Sequence, residues 1–363
     1  MKMKKPILPK FQSDDGIEFG IYTLGDHLPN PKTGELISAT QRLEDIIEMA
    51  KFAEGLGFDN FGVGESHQEH FISQGHLVIL AALARETKQM TLSSAVTTLS
   101  VLDPVRVFED AATVDLLSHG RMEIIAGRAS RIGSFELYGY DHRDYEDLFE
   151  EKLDLLLELN QNEVVNWSGQ FRPELKDAKI LPRPENEKGG IPIWRGVGNT
   201  PASAIKAGKL GLPMFQAQLA GAAQTYKHRI RHYKEAGYEA GFTDEELPVG
   251  AGGILLLADT TEEAFRKAYP FFNAGFNLTN GQDFPKRAFA QGKKARSVTL
   301  IGSPELVAEK MIYQYDLYKP KRFTIEPDIG GLPLDDVKET LTIFAKEVMP
   351  KVIAHVKKDQ GLL

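Results

Sequence analysis

Arg128 and Ser130, each preceded by a small residue, Gly127 and Ala129, put a guanidinium and a hydroxyl two positions apart, just after the apolar run Met122 to Ala126. That run reads as a short strand, and the carboxyl ends of strands carry the ligands in parallel α/β folds. A guanidinium placed there gives charge-assisted bonds to an anion. The alternative is a strand-to-loop turn whose arginine pairs with a surface carboxylate. A second stretch, Gly198-Asn199-Thr200-Pro201-Ala202-Ser203, follows the strand-like run Ile191 to Val197. Its hydroxyls and backbone N–H groups form either an anion site at a helix N-terminus or an ordinary helix cap with Pro in the first turn. A third, Glu65-Ser66-His67 with Glu69, His70 and His76 beyond it, gathers carboxylates and imidazoles. Its spacing matches no zinc motif, so a hydrated or substrate-facing loop is the default and no metal is assigned.

Other chemistries lose support. There is no G-x-S-x-G for a serine nucleophile, no P-loop and no strand-linked G-x-G-x-x-G. The absence of cysteine excludes thiolate metal sites, disulfides and a Cys nucleophile. Arg106, Arg121 and Glu123 read as helix-end charges and barrel-floor pairs, and Trp194 as barrel filling.

The elements that must position these residues alternate. Strand patterns occur at Ile17 to Leu24, Asn60 to Gly64, Met90 to Leu99, Met122 to Ala126, Ile191 to Val197, Leu212 to Gln216, Val249 to Leu257 and Arg322 to Glu326. Helical patterns lie between them. Thr40 is the expected cap of the first, and Asp103-Pro104 opens the helix that His119-Gly120 ends. Eight strands, each followed by helix, favour a (β/α)8 TIM barrel over an open doubly wound sheet. The stretches at about 130 to 145, 163 to 190 and 273 to 298, the last read as irregular, become insertions at the barrel mouth or its flank. No repeat or linker divides the chain, so residues 1–363 are expected to form a single domain.

The 363 residues are 42% apolar and 26% charged, with net charge −8, a composition for a globular protein with ample core. The acidic balance argues against nucleic acid or an anionic membrane as partner. No apolar run approaches the ~20 residues of a membrane span, and the amino end lacks a signal-peptide core, so a cytoplasmic protein is expected. The sequons at Asn166 and Asn277 carry no meaning there.

GFDNFGVGESH at 57 to 67, SSAVTTLSVLDPVRVFEDAATVDLLSHGRMEIIAGRAS at 93 to 130, LYGYD at 137 to 141, FEEKLDLL at 149 to 156, PIWRGVGNTPAS at 192 to 203 and GSPELVAEKM at 302 to 311 resemble the bacterial luciferase-like flavin-dependent monooxygenase family. The match is collinear from about residue 17 to 350, and its DPVR and VDLLSHGR blocks are specific to that family. The resemblance implies a barrel that uses reduced FMN, supplied by a separate flavin reductase, to oxidise a small organic substrate with O2. The deazaflavin F420 is the cofactor of similar relatives. It further implies Arg128 near the flavin with Ala129 and Ser130 beside it, and Thr97 and Thr98 lining the flavin ring. Asn199, Thr200 and Ser203 would hold the phosphate, backed by Ala220 and Gly221, and Glu65, His67 and Arg128 would serve the chemistry. A homodimer through helices early in the chain is expected on the same ground. One departure stands out: catalytic members have Glu-His-His where this chain has Glu65-Ser66-His67. A hydroxyl does not exchange a proton near neutral pH as imidazole does, so His67 or His70 would have to substitute. Otherwise the chain binds flavin with lost or altered chemistry.

Overall fold

The computed structural model describes residues 5–128, 133–185 and 189–362. The first half of the chain gives β1 (Glu18–Thr23), α1 (Ala39–Gly55), β2 (Asn60–Val63), α2 (His76–Glu86), β3 (Thr91–Thr98), α3 (Pro104–Ser118), β4 (Met122–Gly127), α4 (Gly133–Leu137) and α5 (Tyr145–Gln161). The second half gives β5 (Val164–Trp167), β6 (Leu175–Lys179), β7 (Ile193–Val197), α6 (Pro201–Leu210), β8 (Met214–Ala217), α7 (Ala223–Glu239) and β9 (Val249–Leu257). It continues with α8 (Thr261–Asn280), α9 (Lys286–Phe289), β10 (Leu300–Gly302), α10 (Pro304–Tyr318), β11 (Arg322–Glu326), α11 (Leu334–Ile343) and α12 (Met349–Gln360). Strands β1, β2, β3, β4, β7, β8, β9 and β11 pair in parallel, and β11 closes on β1. This is the expected (β/α)8 barrel, built from the eight expected strands. Among the described residues, no helix is long and apolar enough to cross a membrane.

Local chemistry sets the boundaries. Asp103 accepts from the Val105 and Arg106 N–H groups to open α3, and Pro104 sits in its first turn, where no N–H is needed. His119 at φ 60° and Gly120 at φ 81° turn the chain back toward β4. Arg121 then donates to the Ser118, Ala84, Thr87 and Met90 carbonyls, tying two helix ends to the barrel base. The cap of α1 is Ser38, which accepts from Gln41 N–H, rather than Thr40.

The barrel interior is layered. At its floor, buried Arg322 pairs with Glu18 and Glu123, and Trp194 Nε1 donates to Glu123 at 2.9 Å. Phe11, ahead of β1, packs edge-on against Trp194. Tyr22, Ala95, Ile125 and Phe215 fill the next layer. At Gly62 the wall has no room for a side chain, since a Cβ there would lie 2.8 Å from that of Ala95.

Three stretches differ from expectation. Residues 163–190 include the antiparallel β5–β6 hairpin. The region read as irregular from 273 begins with helix, because α8 runs through Pro270 to Asn280. A proline there removes one backbone bond. Edge-to-face packing of Phe272 and Phe276 on Phe284 and tilted packing of Phe272 on Phe289, with centroids 4.9 to 5.1 Å apart, offset that loss. The closing helix, which the sequence pattern runs from Leu334 to Val348, continues through a π-helical turn at Phe344–Val348 into α12, with Pro350 in the first turn of α12.

Candidate functional site

Pairing of β3 with β4 slips by one residue: Ala95 faces Ile125 but Thr97 faces Ala126, leaving Val96 unpaired beside a cis Ala95–Val96 peptide. The extra residue inverts the alternation of side chains beyond it. Ala95, Val96 and Thr98 therefore line one cavity at the carboxyl ends of the strands, while Thr97 turns outward and its Oγ1 meets His76 Nε2 at 2.8 Å. Gly127 opposite leaves room for the bulge, since a Cβ there would sit 2.5 Å from Val96 Cγ2.

That cavity has a volume of about 230 Å³. Its apolar surfaces come from Tyr22, Leu24, Phe71, Phe215 and Leu219, and its polar groups include Glu65, Ser66, His67, Thr98 and Arg128. The loop after β2 is organised by Glu65. Its Oε1 meets His67 Nε2 at 2.5 Å, its Oε2 accepts from Thr98 N–H at 2.7 Å, and His76 Nδ1 stands 3.7 Å away. Burial pushes the Glu65 carboxyl up, but the His67 bond, nearby His76 and the Thr98 N–H outweigh it and hold Glu65 below the usual carboxylate range. Burial brings His76 down to about 4, so that ring is neutral near pH 7. In a neutral His67 ring, donation from Nε2 to Glu65 leaves Nδ1 as the basic atom.

Arg128 lines the cavity and also carries the contacts of a structural residue. Its guanidinium pairs with Glu146 and lies 5.6 Å from the Tyr145 ring and 5.3 Å from the Phe149 ring. The carboxylate pairing posed for it is thus present, at a residue that also lines the cavity. Ala129 and Ser130 lie outside the described residues.

The other residues of the expected set are dispersed. Ser203 is buried under the loop after β7, where its hydroxyl accepts from Arg195 Nε, and Arg195 also forks onto Glu150. Asn199 and Thr200 are exposed, and Arg229 of α7 donates to the Asn199 carbonyl and Oδ1. Ala220 and Gly221 line a second cavity, of about 370 Å³, that borders the first at Leu219.

Sequence reasoning passed over two features. The hydroxyl of Tyr22 donates to Glu326 at the end of β11, so an acidic group lies just behind the cavity wall. The only signal was an acidic residue at a strand's carboxyl end. The Thr98 Oγ1 is buried with no hydrogen-bond partner among the described residues. No three His, Asp or Glu side chains converge as metal ligands among the described residues.

This arrangement suits a flat, partly apolar cofactor with polar edges. Phe215, Ala95 and Val96 offer a surface for a ring face, the orphan Thr98 hydroxyl offers an edge contact, and Arg128 offers positive charge.

Comparison with known proteins agrees with the architecture. The sequence model of the luciferase-like monooxygenases matches residues 17–318. The F420-dependent glucose-6-phosphate dehydrogenase of Amycolatopsis mediterranei is 30% identical over 193 residues, covering 50% of this chain and 55% of that one. Monooxygenase RslO1 of Streptomyces bottropensis superposes with a TM-score of 0.78 at 22% identity, over 92% of this chain and 99% of that one. The oxygenating constituent of 3,6-diketocamphane monooxygenase from Pseudomonas putida, solved with FMN, gives 0.73 at 19% identity over 93% and 99%.

Proposed function

This chain belongs to the luciferase-like monooxygenase family, and from that premise we propose that it binds reduced FMN at the barrel mouth and oxidises a small organic substrate with O2. The reduced flavin supplies the electrons for that chemistry, and a separate reductase would deliver it. The observation that carries the reading is convergence: the Glu65-held His67, the unpartnered Thr98 hydroxyl and Arg128 open into one cavity with an apolar wall. Relatives divide between FMN and F420. FMN is preferred because Arg128 is the one Lys or Arg lining the cavity among the described residues, which suits a flavin with a single phosphate better than a cofactor with a longer anionic tail.

Within that reading, Arg128 and Thr98 orient the cofactor, the phosphate extends toward Asn199 and Thr200 at the start of α6, and His67 moves a proton at Nδ1 while Glu65 fixes its ring. Thr97 and Ser203 act from behind as positioning residues, through His76 and Arg195. The test separates binding from chemistry: His67→Gln should lower kcat by about 10²-fold with flavin affinity unchanged. Unchanged turnover would remove His67 from the chemistry.

Ser66 favours a second reading. It lines the cavity where catalytic relatives carry histidine, which leaves room for a flavin binder with altered chemistry. Under that reading Ser66→His raises turnover, and no change counts against it.

A further inference from the structure

Resting on the flavin reading, we infer that the larger cavity beside the barrel mouth is the substrate pocket, and that the substrate is an organic monoanion with an aromatic or medium-length alkyl body. The pocket lies between the loop after β8 and the segment after α8 and borders the central cavity at Leu219. Its volume, about 370 Å³, is in the range of small-molecule sites. Phe272, Phe284 and Phe289 form an apolar wall of interlocked rings. Such a wall takes up a hydrophobic body and gives no hydrogen bond to a sugar or a peptide.

The lining also carries cations. Lys294 and Arg296 line the cavity, and among the described residues neither has a carboxylate within salt-bridge distance. Neighbouring Lys293, by contrast, is neutralised by Glu262 at 3.2 Å. No Asp or Glu lines the cavity among the described residues. On a chain of net charge −8, two uncompensated cations beside an aromatic wall mark a local preference for an anionic head on an apolar body. A ligand with its head at Lys294 and Arg296 and its body on the rings would extend across Leu219 toward His67.

Calorimetric titration tests this with 4-phenylbutyrate and its neutral counterpart 4-phenylbutan-1-ol, each against the protein alone and the protein saturated with FMN. The expected result is one saturable site for the anion in both states, with the alcohol at least tenfold weaker. Lys294→Gln with Arg296→Gln, two exposed changes that spare the fold, should bring the anion to the affinity of the alcohol. Flavin affinity should not move. Equal affinity for anion and alcohol overturns the inference, as does no saturable anion binding to a protein that binds FMN. Mutual displacement of 4-phenylbutyrate and FMN also overturns it, by assigning the cations to the flavin phosphate. Anion binding by a protein that binds no flavin keeps the pocket and removes the flavin reading.

Discussion

Glu65 shows how one side chain can arrange several others. Both of its oxygens are used, by His67 and by the Thr98 N–H, so the loop after β2 is fastened to the end of β3. Its depressed pKa keeps it a carboxylate at neutral pH, and the ring it holds can therefore face the cavity in a fixed orientation. Asp59 carries the opposite shift. Burial raises its carboxyl to about 6, though the Phe19 N–H bond opposes this. A raised folded-state pKa means that the group's contribution is fully present below the unfolded value near 4 and is lost as pH rises through about 6. Asn at this position keeps an acceptor for Phe19 N–H without the charge. Asp59→Asn should therefore gain about 1–2 kcal/mol in urea unfolding at pH 7.5 and almost nothing at pH 4; an equal gain at both values would refute the burial argument.

At the scale of elements, the bulge at Val96 decides which hydroxyls reach the cavity. Strict alternation along β3 would have turned either Thr97 or Thr98 inward without saying which. The sequence gives no mark for the slip, because a bulge depends on pairing with β4. Gly127 is the partner that allows it. Gly127→Ala should cost about 1–3 kcal/mol and push Val96 into the cavity, weakening flavin binding with it. A variant with wild-type stability and affinity would show that the two residues do not press on each other.

The eight barrel strands were legible because each is a short apolar run bounded by turn residues, as at Met122–Gly127 between Gly120 and Arg128. The β5–β6 hairpin was hidden by its exposure, since only Val165 of β5 is buried. The aromatic pocket was hidden because Phe284 and Phe289 meet Phe272 only after α8 passes Pro270. Arg128 was legible as a mouth residue, but its partner Glu146 lies one helix further on and no spacing rule links them.

At the scale of the whole molecule, the outer helices leave apolar groups uncovered. Val78 on α2 is 75% exposed and Leu116 on neighbouring α3 is 38% exposed. These fit the proposed homodimer through helices early in the chain. Light scattering after size exclusion should give twice the mass of the 40.3 kDa chain, and Val78→Glu should shift it toward monomer. A monomeric wild type would remove that proposal.

The central claim is that the barrel-mouth cavity holds a reduced flavin, and the most direct test is an anaerobic titration with reduced FMN, oxidised FMN and F420. Reduced FMN should saturate one site per chain more tightly than F420. Thr98→Val should weaken it by about fivefold, for one hydrogen bond of ~1 kcal/mol, and Arg128→Ala by more than tenfold, for a charge-assisted contact of ~1.5–3 kcal/mol. Tighter F420 binding would correct the cofactor and keep the site. No binding of any of the three would contradict the account.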